Sequence, residues 1–170
     1  KLPPKKRVKF LADRDNGASE FKSILLALLK APSVRGKLDE ITESIKNSSA
    51  THFKALLIIM LSRMLTLDLT SRDVNEIVGK NVSNDVRFLG HPGISQIITR
   101  RQKNGQFEVK SSVVAKFILE RTATINDVID VLAEIVDYCI PLDDITRFYN
   151  VLRNLISFSL ISTFVNGFQD

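Results

Sequence analysis

With 170 residues, of which 44% are apolar, the chain can bury a core for one ordinary domain or two small subdomains. Its net charge of +5 and pI near 9.4 are accounted for by Lys1, Lys5, Lys6, Arg7 and Lys9, so the body is neutral and lacks the overall basic balance of a nucleic-acid-coating protein. The longest apolar run, Ala55 to Leu61, is too short to span a bilayer, and no signal peptide is read at the basic start, so a cytoplasmic location is expected. Because the first residue is Lys1, the chain is expected to begin inside a longer polypeptide.

Residues 1–17 combine Pro3-Pro4, the basic cluster and Asp13-Arg14-Asp15-Asn16-Gly17, a composition of turns and solvated backbone that reads as a lead-in or linker. Lys5-Lys6-Arg7-x-Lys9 is also compatible with a nuclear-import signal or a phosphate-binding arm. Asp13-x-Asp15-Asn16-Gly17 opens like a calcium loop, but its glycine comes one residue early and Ile24 holds the place of the bidentate Glu, which favours a turn and cap. Helical spacing begins at Ser19, with Phe21, Ile24, Leu25, Leu28 and Leu29 on one stripe, and Pro32 stops it. Leu38, Ile41 and Ile45 place a second helix over Val34 to Ile45, and Thr51 is expected to cap the next.

Phe53 to Leu67 is apolar nearly all round, which predicts a helix buried on several sides at the centre of the core. Ser71 and Asp73 open a short helix ended by Gly79, and a polar loop leads to Gly90-His91-Pro92-Gly93. A third short helix carries Ile94, Ile97 and Ile98 and ends in Arg100-Arg101-Gln102-Lys103. Asn104-Gly105 followed by alternating Phe107-Glu108-Val109-Lys110 predicts a hairpin with at least one strand. Ser111 or Ser112 caps a helix through Leu119, and Thr124 with Asp127 forms a capping box for a helix running to Ile140. The last helix starts near Asp143 and places Phe148, Leu152, Leu155, Ile156, Leu160, Ile161, Phe164 and Val165 on its apolar side; residues 143–168 are expected to dock on a following helical array or another copy. The fold class is therefore mainly α with a short β-hairpin, and from Thr51 to Leu119 the order long helix, short helix, loop, third helix, hairpin and helix is that of a winged helix, followed by C-terminal helices.

The inventory of reactive residues points away from catalysis. His52 and His91 stand at no ligand spacing from each other or from Cys139, so no metal site is read, and Cys139 sits on an apolar helix face as a core thiol. His52 reads as a helix-start residue. No nucleophile elbow and no Gly-x-x-x-x-Gly-Lys-Ser/Thr loop is present, so the chain alone is expected neither to catalyse nor to hydrolyse ATP, and no catalytic residue is assigned. Arg100, Arg101 and Lys103 would meet DNA phosphates if the third helix entered a groove, or would compensate that helix's dipole at its C-terminus.

The passage Gly105-Gln106-Phe107-Glu108-Val109-Lys110-Ser111-Ser112-Val113-Val114-Ala115-Lys116-Phe117-Ile118-Leu119 resembles the wing strand and following helix of STAND P-loop ATPases, the signal-transduction branch of the AAA+ class. Phe10 to Arg14 and Ile24 to Leu29 resemble the start of the helical subdomain that follows the ATPase core in bacterial members, several of which serve in antiphage defence. The resemblance covers most of residues 10–140 and implies a helical subdomain at 18–50, a winged-helix-like domain at 51–122 and helices at 123–170 leading to a following domain; the P-loop and acidic metal-binding strand that define the family are not in this chain. It implies a non-catalytic regulatory module that couples nucleotide state to ligand sensing and oligomerisation, with adjoining ATPase and sensor domains of the same polypeptide as partners and a homo-oligomer as an assembly. It also implies that the strand-to-helix junction, here Lys110-Ser111, contacts the phosphates of ATP or ADP shared with an upstream ATPase domain; many relatives carry histidine there, and lysine offers the same charge. A winged-helix nucleic-acid binder and a helical interaction scaffold are the alternatives.

Overall fold

Helix boundaries in the computed structural model are set largely by short polar caps, which satisfy the backbone groups a helix end leaves open. The structure describes residues 31–67, 69–101, 105–121 and 123–140, with positions 24, 149, 152 and 153 in addition. The expected lead-in at 1–17, its calcium-like turn, nearly all of the helix expected from Ser19, Lys103 and nearly all of the last helix lie outside the described residues. Two compact units divide the chain, Lys1–Leu38 and Asp39–Asp170. Of the first, the described residues are the helical Ile24 and 31–38, and from Pro32 onward these form the start of α1 (Pro32–Ser48). Pro32 is the opening residue of that helix, a position where its missing N–H costs nothing.

In the second unit α1 ends when the Ser48 hydroxyl donates to the Ile45 carbonyl, and α2 (Ala50–Leu65) follows at once. Ser49, not Thr51, caps α2 by accepting from the His52 amide at 3.2 Å. Ten residues of α2 are buried, including the run Ala55 to Leu61, because α3, α6, α7 and the hairpin all pack on it. This is the central helix expected from its all-round apolarity. It closes at Thr66, whose φ of 53° is left-handed, and the amides of Thr66 and Leu67 both turn back to the Ser62 carbonyl.

Helix α3 (Ser71–Val78) is capped by Thr70 in a reciprocal box with Asp73 and ends on Gly79 at φ 71°. The stretch expected to be a polar loop is ordered instead as a 3-10 turn (Val82–Asn84) and a four-residue helix α4 (Val86–Leu89). Asn81 and Asp85 cap these pieces, and Val82 of the turn and Phe88 of α4 are fully buried beneath them. Helix α5 (Pro92–Ile97) opens on His91, whose Nδ1 accepts from the Gly93 amide at 3.1 Å.

The helix expected to run on to Arg100-Arg101 stops at Ile97. The β-branched pair Ile98-Thr99 enters β1 (Ile98–Arg100), which pairs antiparallel with β2 (Phe107–Val109) in the register Ile98↔Val109, Thr99↔Glu108 and Arg100↔Phe107. Arg100 and Arg101 therefore do not sit at a helix C-terminus, and dipole compensation does not explain them. Gly105 at φ 67° accommodates the hairpin turn. Helix α6 (Ser112–Arg121) follows β2 directly, and α7 (Ile125–Cys139) opens on the expected Thr124–Asp127 capping box. Among the described residues the chain is mainly helical, with one two-stranded antiparallel sheet, and Cys139 is fully buried.

Candidate functional site

The hairpin gathers most of the residues singled out from the sequence. Antiparallel pairing puts Ile98, Arg100, Phe107 and Val109 on one side of the sheet, and Thr99 and Glu108 on the other. The Lys110 amide donates to the Ile97 carbonyl at 2.9 Å, which extends the ladder to the start of α6. A cavity of about 340 Å³ lies beside this face, with Leu89, Ile94, Ile98 and Phe107 as its apolar lining and Arg100 and Lys110 contributing positive charge. Residues proposed for two different roles, Lys110 for nucleotide phosphate and Arg100 for nucleic acid, thus share one cavity.

The charges of these two residues are held differently from those of their neighbours. Lys110 Nζ donates to the Ser95 carbonyl at 2.5 Å, and Arg100 Nε donates to the Gly105 carbonyl at 3.2 Å. Among the described residues, no carboxylate pairs with either. Arg101, in contrast, is ion-paired with Glu108, and the guanidinium beside it, with Arg63 further off, holds that carboxyl below the usual range. Ser111 accepts from the Val114 amide at 3.3 Å and so caps α6, which leaves its hydroxyl hydrogen available to donate. Lys103 lies outside the described residues.

Two polar clusters with long-range partners had no counterpart in the sequence reading. His52 is buried in α2, and its Nε2 stands 3.1 Å from Asp85 Oδ2, with Lys80 Nζ 3.4 Å from the same oxygen. The other oxygen of Asp85 accepts from the amides of Arg87 and Phe88. The His52 hydrogen bond and then the Arg87 amide hold the Asp85 carboxyl far below its ordinary value. His52 also meets the Phe88 ring edge-on at 5.4 Å, so it ties α4 to α2 as well as lying in the first turn of its helix. A histidine and an acid 33 positions apart carry no spacing signal.

The second cluster joins α3 to α7. Tyr138 donates towards Asp73 Oδ1 at 2.8 Å and Glu76 Oε2 at 2.9 Å, and Arg72 Nε donates to Glu76 Oε1 at 2.7 Å. Burial, then the two acceptors, push the Tyr138 hydroxyl well above the ordinary phenol value, so it is a fixed neutral donor. Neither cluster contains an activated nucleophile: each has its polar atoms occupied by helix caps and inter-helix ties.

Among the described residues no group of three His, Cys, Asp or Glu side chains is placed to hold a metal ion, and no helix is long and apolar enough to cross a membrane. Compared with protein-family models, curated proteins and solved structures, the chain matches none.

Proposed function

We propose that this chain is a non-catalytic regulatory module of a larger STAND-type ATPase, in which a winged-helix-like region at 51–122 couples nucleotide state to ligand sensing and oligomerisation in bacterial antiphage defence, in the cytoplasm. The observation that carries the reading is the state of Lys110. It stands where β2 runs into α6, on the cavity that Arg100 also lines, and its ammonium is met by a backbone carbonyl instead of a carboxylate. A phosphate oxygen would be a stronger acceptor for that ammonium than a neutral carbonyl, because both partners would then be charged. The order α2, α3, α4, α5, β1, β2, α6 runs from helices through a hairpin into a further helix, as a winged helix with one added short helix would, and supports the same reading.

In this proposal ATP or ADP is bound by an upstream ATPase domain, and Lys110, helped by Ser111, reaches its phosphates in the closed state. Movement of the 51–122 region as a body then reports nucleotide loss to the helices that follow. The test is nucleotide retention by the parent polypeptide purified with Lys110→Glu, beside Lys116→Glu as a control for charge. Lys116 belongs to α6 and already pairs with Glu120. At least tenfold weaker ADP retention in the Lys110 variant alone is expected; equal retention in both variants and the parent overturns the proposal.

The nucleic-acid alternative is less well supported, since Arg101 spends its charge on Glu108. A phosphate-binding surface would show affinity falling steeply as salt rises, and the chain is expected to show no such binding to duplex DNA.

A further inference from the structure

Helix α7 packs one side on the core through Val128, Val131, Ile135 and Cys139, all buried. A second apolar stripe runs along its outside. Ile125, Ile129, Ala133, Val136 and Ile140 follow at steps of four, four, three and four, the spacing of a seam that receives another helix. Ile125, Ile129 and Ile140 are 42%, 54% and 59% exposed, which is unusual for isoleucines clustered on one face.

The charges beside the stripe restrict what can cover it. The described part of α7 has four acids and no base. Two of them are paired on the core side, Asp127 with Lys46 and Glu134 with Lys54. Asp130 and Asp137 are exposed, and at 100° per residue they border the seam on its outer edge. A second α7 would set acid against acid. An anionic lipid surface or a nucleic acid would be repelled by the same border. A helix with an apolar seam and flanking lysine or arginine meets both features at once.

We propose that the outer face of α7 is a docking surface for a basic amphipathic helix, with Ile129 and Val136 as the central apolar contacts and Asp130 and Asp137 selecting the charge of the partner. This surface is independent of the Lys110 reading and survives its failure.

The test uses two fluorescent peptides designed as amphipathic helices, each with a leucine seam, one flanked by lysines and the other by glutamates. Anisotropy titration against the whole chain should show the lysine peptide binding at least tenfold more tightly than the glutamate peptide. Ile129→Ser should weaken it at least tenfold while the circular dichroism spectrum stays unchanged. The double variant Asp130→Lys with Asp137→Lys should invert the preference towards the glutamate peptide, an outcome that general attraction between a basic peptide and scattered acids would not give. Equal binding of the two peptides, absence of binding, retention of the original preference in the double variant, or a dimer in sedimentation that Ile129→Ser dissociates would each overturn the proposal.

Discussion

The hydroxyl of Tyr138 lies 2.8 Å from Oδ1 of Asp73, sixty-five positions earlier in the chain, while the other oxygen of that carboxylate accepts from the amide and hydroxyl of Thr70 at 2.6 and 2.7 Å. One buried carboxylate therefore both caps α3 and fastens α7 to it. The Tyr138→Phe substitution keeps the ring and removes only this donor. A cost of about 1–2 kcal/mol in urea unfolding is expected, since a buried acceptor loses a partner without losing shape. Asp73→Ala should cost more than Tyr138→Phe, because the cap goes with the tie. If the two variants unfold at the same urea concentration as the parent, the tie contributes nothing.

Acid should weaken the fold in a definite direction. The carboxyls of Asp85, Asp127, Glu76 and Glu108 are all lowered in the folded chain: Asp85 chiefly by His52, Glu76 by Arg72 and then Tyr138, Glu108 by Arg101, and Asp127, where burial is the largest single influence and raises it, by the combined bonds from Thr124 and Lys46. A depressed folded-state pKa means that the unfolded chain binds protons first. The stabilisation is present above the ordinary carboxylate range and is lost as pH falls through it towards the folded values. Urea midpoints measured between about pH 3 and pH 7 should therefore fall on acidification. For Asp85→Asn the midpoint should be lower at neutral pH and fall less steeply, so that the two curves converge in acid. Parallel curves would show that Asp85 has no part in the acid sensitivity.

These two clusters mark where the sequence was readable and where it was not. Helix caps are local: the expected Ser71-Asp73 start lies one residue from the true cap at Thr70, and elsewhere Thr124 and Asp127, three apart, form the expected box. The buried α2 was evident from apolar residues on every side. What escaped was the long-range part, His52 with Asp85 and Tyr138 with Asp73, because no periodicity links residues that meet only after folding. The short α4 escaped for a related reason: it has four residues and one buried apolar side chain, too few to establish a period. Isoleucines at 94, 97 and 98 suit helical spacing, whereas Thr99 opposite Glu108 enters the ladder and Ile98, whose amide still turns back to Ile94, becomes the first strand residue. At the candidate site, Lys110 was legible as a junction residue, but its sharing of a cavity with Arg100 depended on the register of the hairpin.

Phe88 is the anchor of that unread segment. It is fully buried, with the His52 ring at 5.4 Å on one side and the Phe107 ring at 5.7 Å on another, both edge-on. Phe88→Ala is expected to cost about 3–5 kcal/mol, from lost burial and the cavity left behind. Phe88→Leu should cost less, since much of the volume is kept. Because Phe107 belongs to β2, the Ala variant should also loosen the hairpin, visible as faster amide exchange at Thr99 and Glu108, the hydrogen-bonded pair of the ladder. Unfolding midpoints for Phe88→Ala and the parent that coincide would remove Phe88 from the core argument.

Thr66 offers a gain instead of a loss. Its φ of 53° puts a β-branched side chain in the left-handed region at the end of α2, where glycine carries no steric penalty. Thr66→Gly is expected to raise the unfolding free energy by about 1 kcal/mol, because the strain removed in the folded chain exceeds the extra freedom given to the unfolded one. A lower urea midpoint would mean that the threonine side chain contributes more than its backbone costs.

Gly93 is the reverse case, where a single methyl group should be costly. A Cβ built there would stand 2.8 Å from Ile41 Cγ2 and 3.2 Å from Ile45 Cδ1. The first is a branch methyl close to the backbone of α1, so it cannot swing clear as the tip of a long side chain would. Ile45 is fully buried, so its methyl cannot move out into solvent without leaving the core. Helix α5 would have to back away from α1, and β1 continues directly from α5. Gly93→Ala is therefore expected to lose about 1–3 kcal/mol by overpacking, although alanine favours helix more than glycine does. Combining it with Ile41→Val would leave the crowding methyl in place, whereas Ile41→Ala removes it. The double variant Gly93→Ala with Ile41→Ala should therefore be less destabilised than the sum of its single variants, and strict additivity in a double-mutant cycle would show that the two residues do not press on each other.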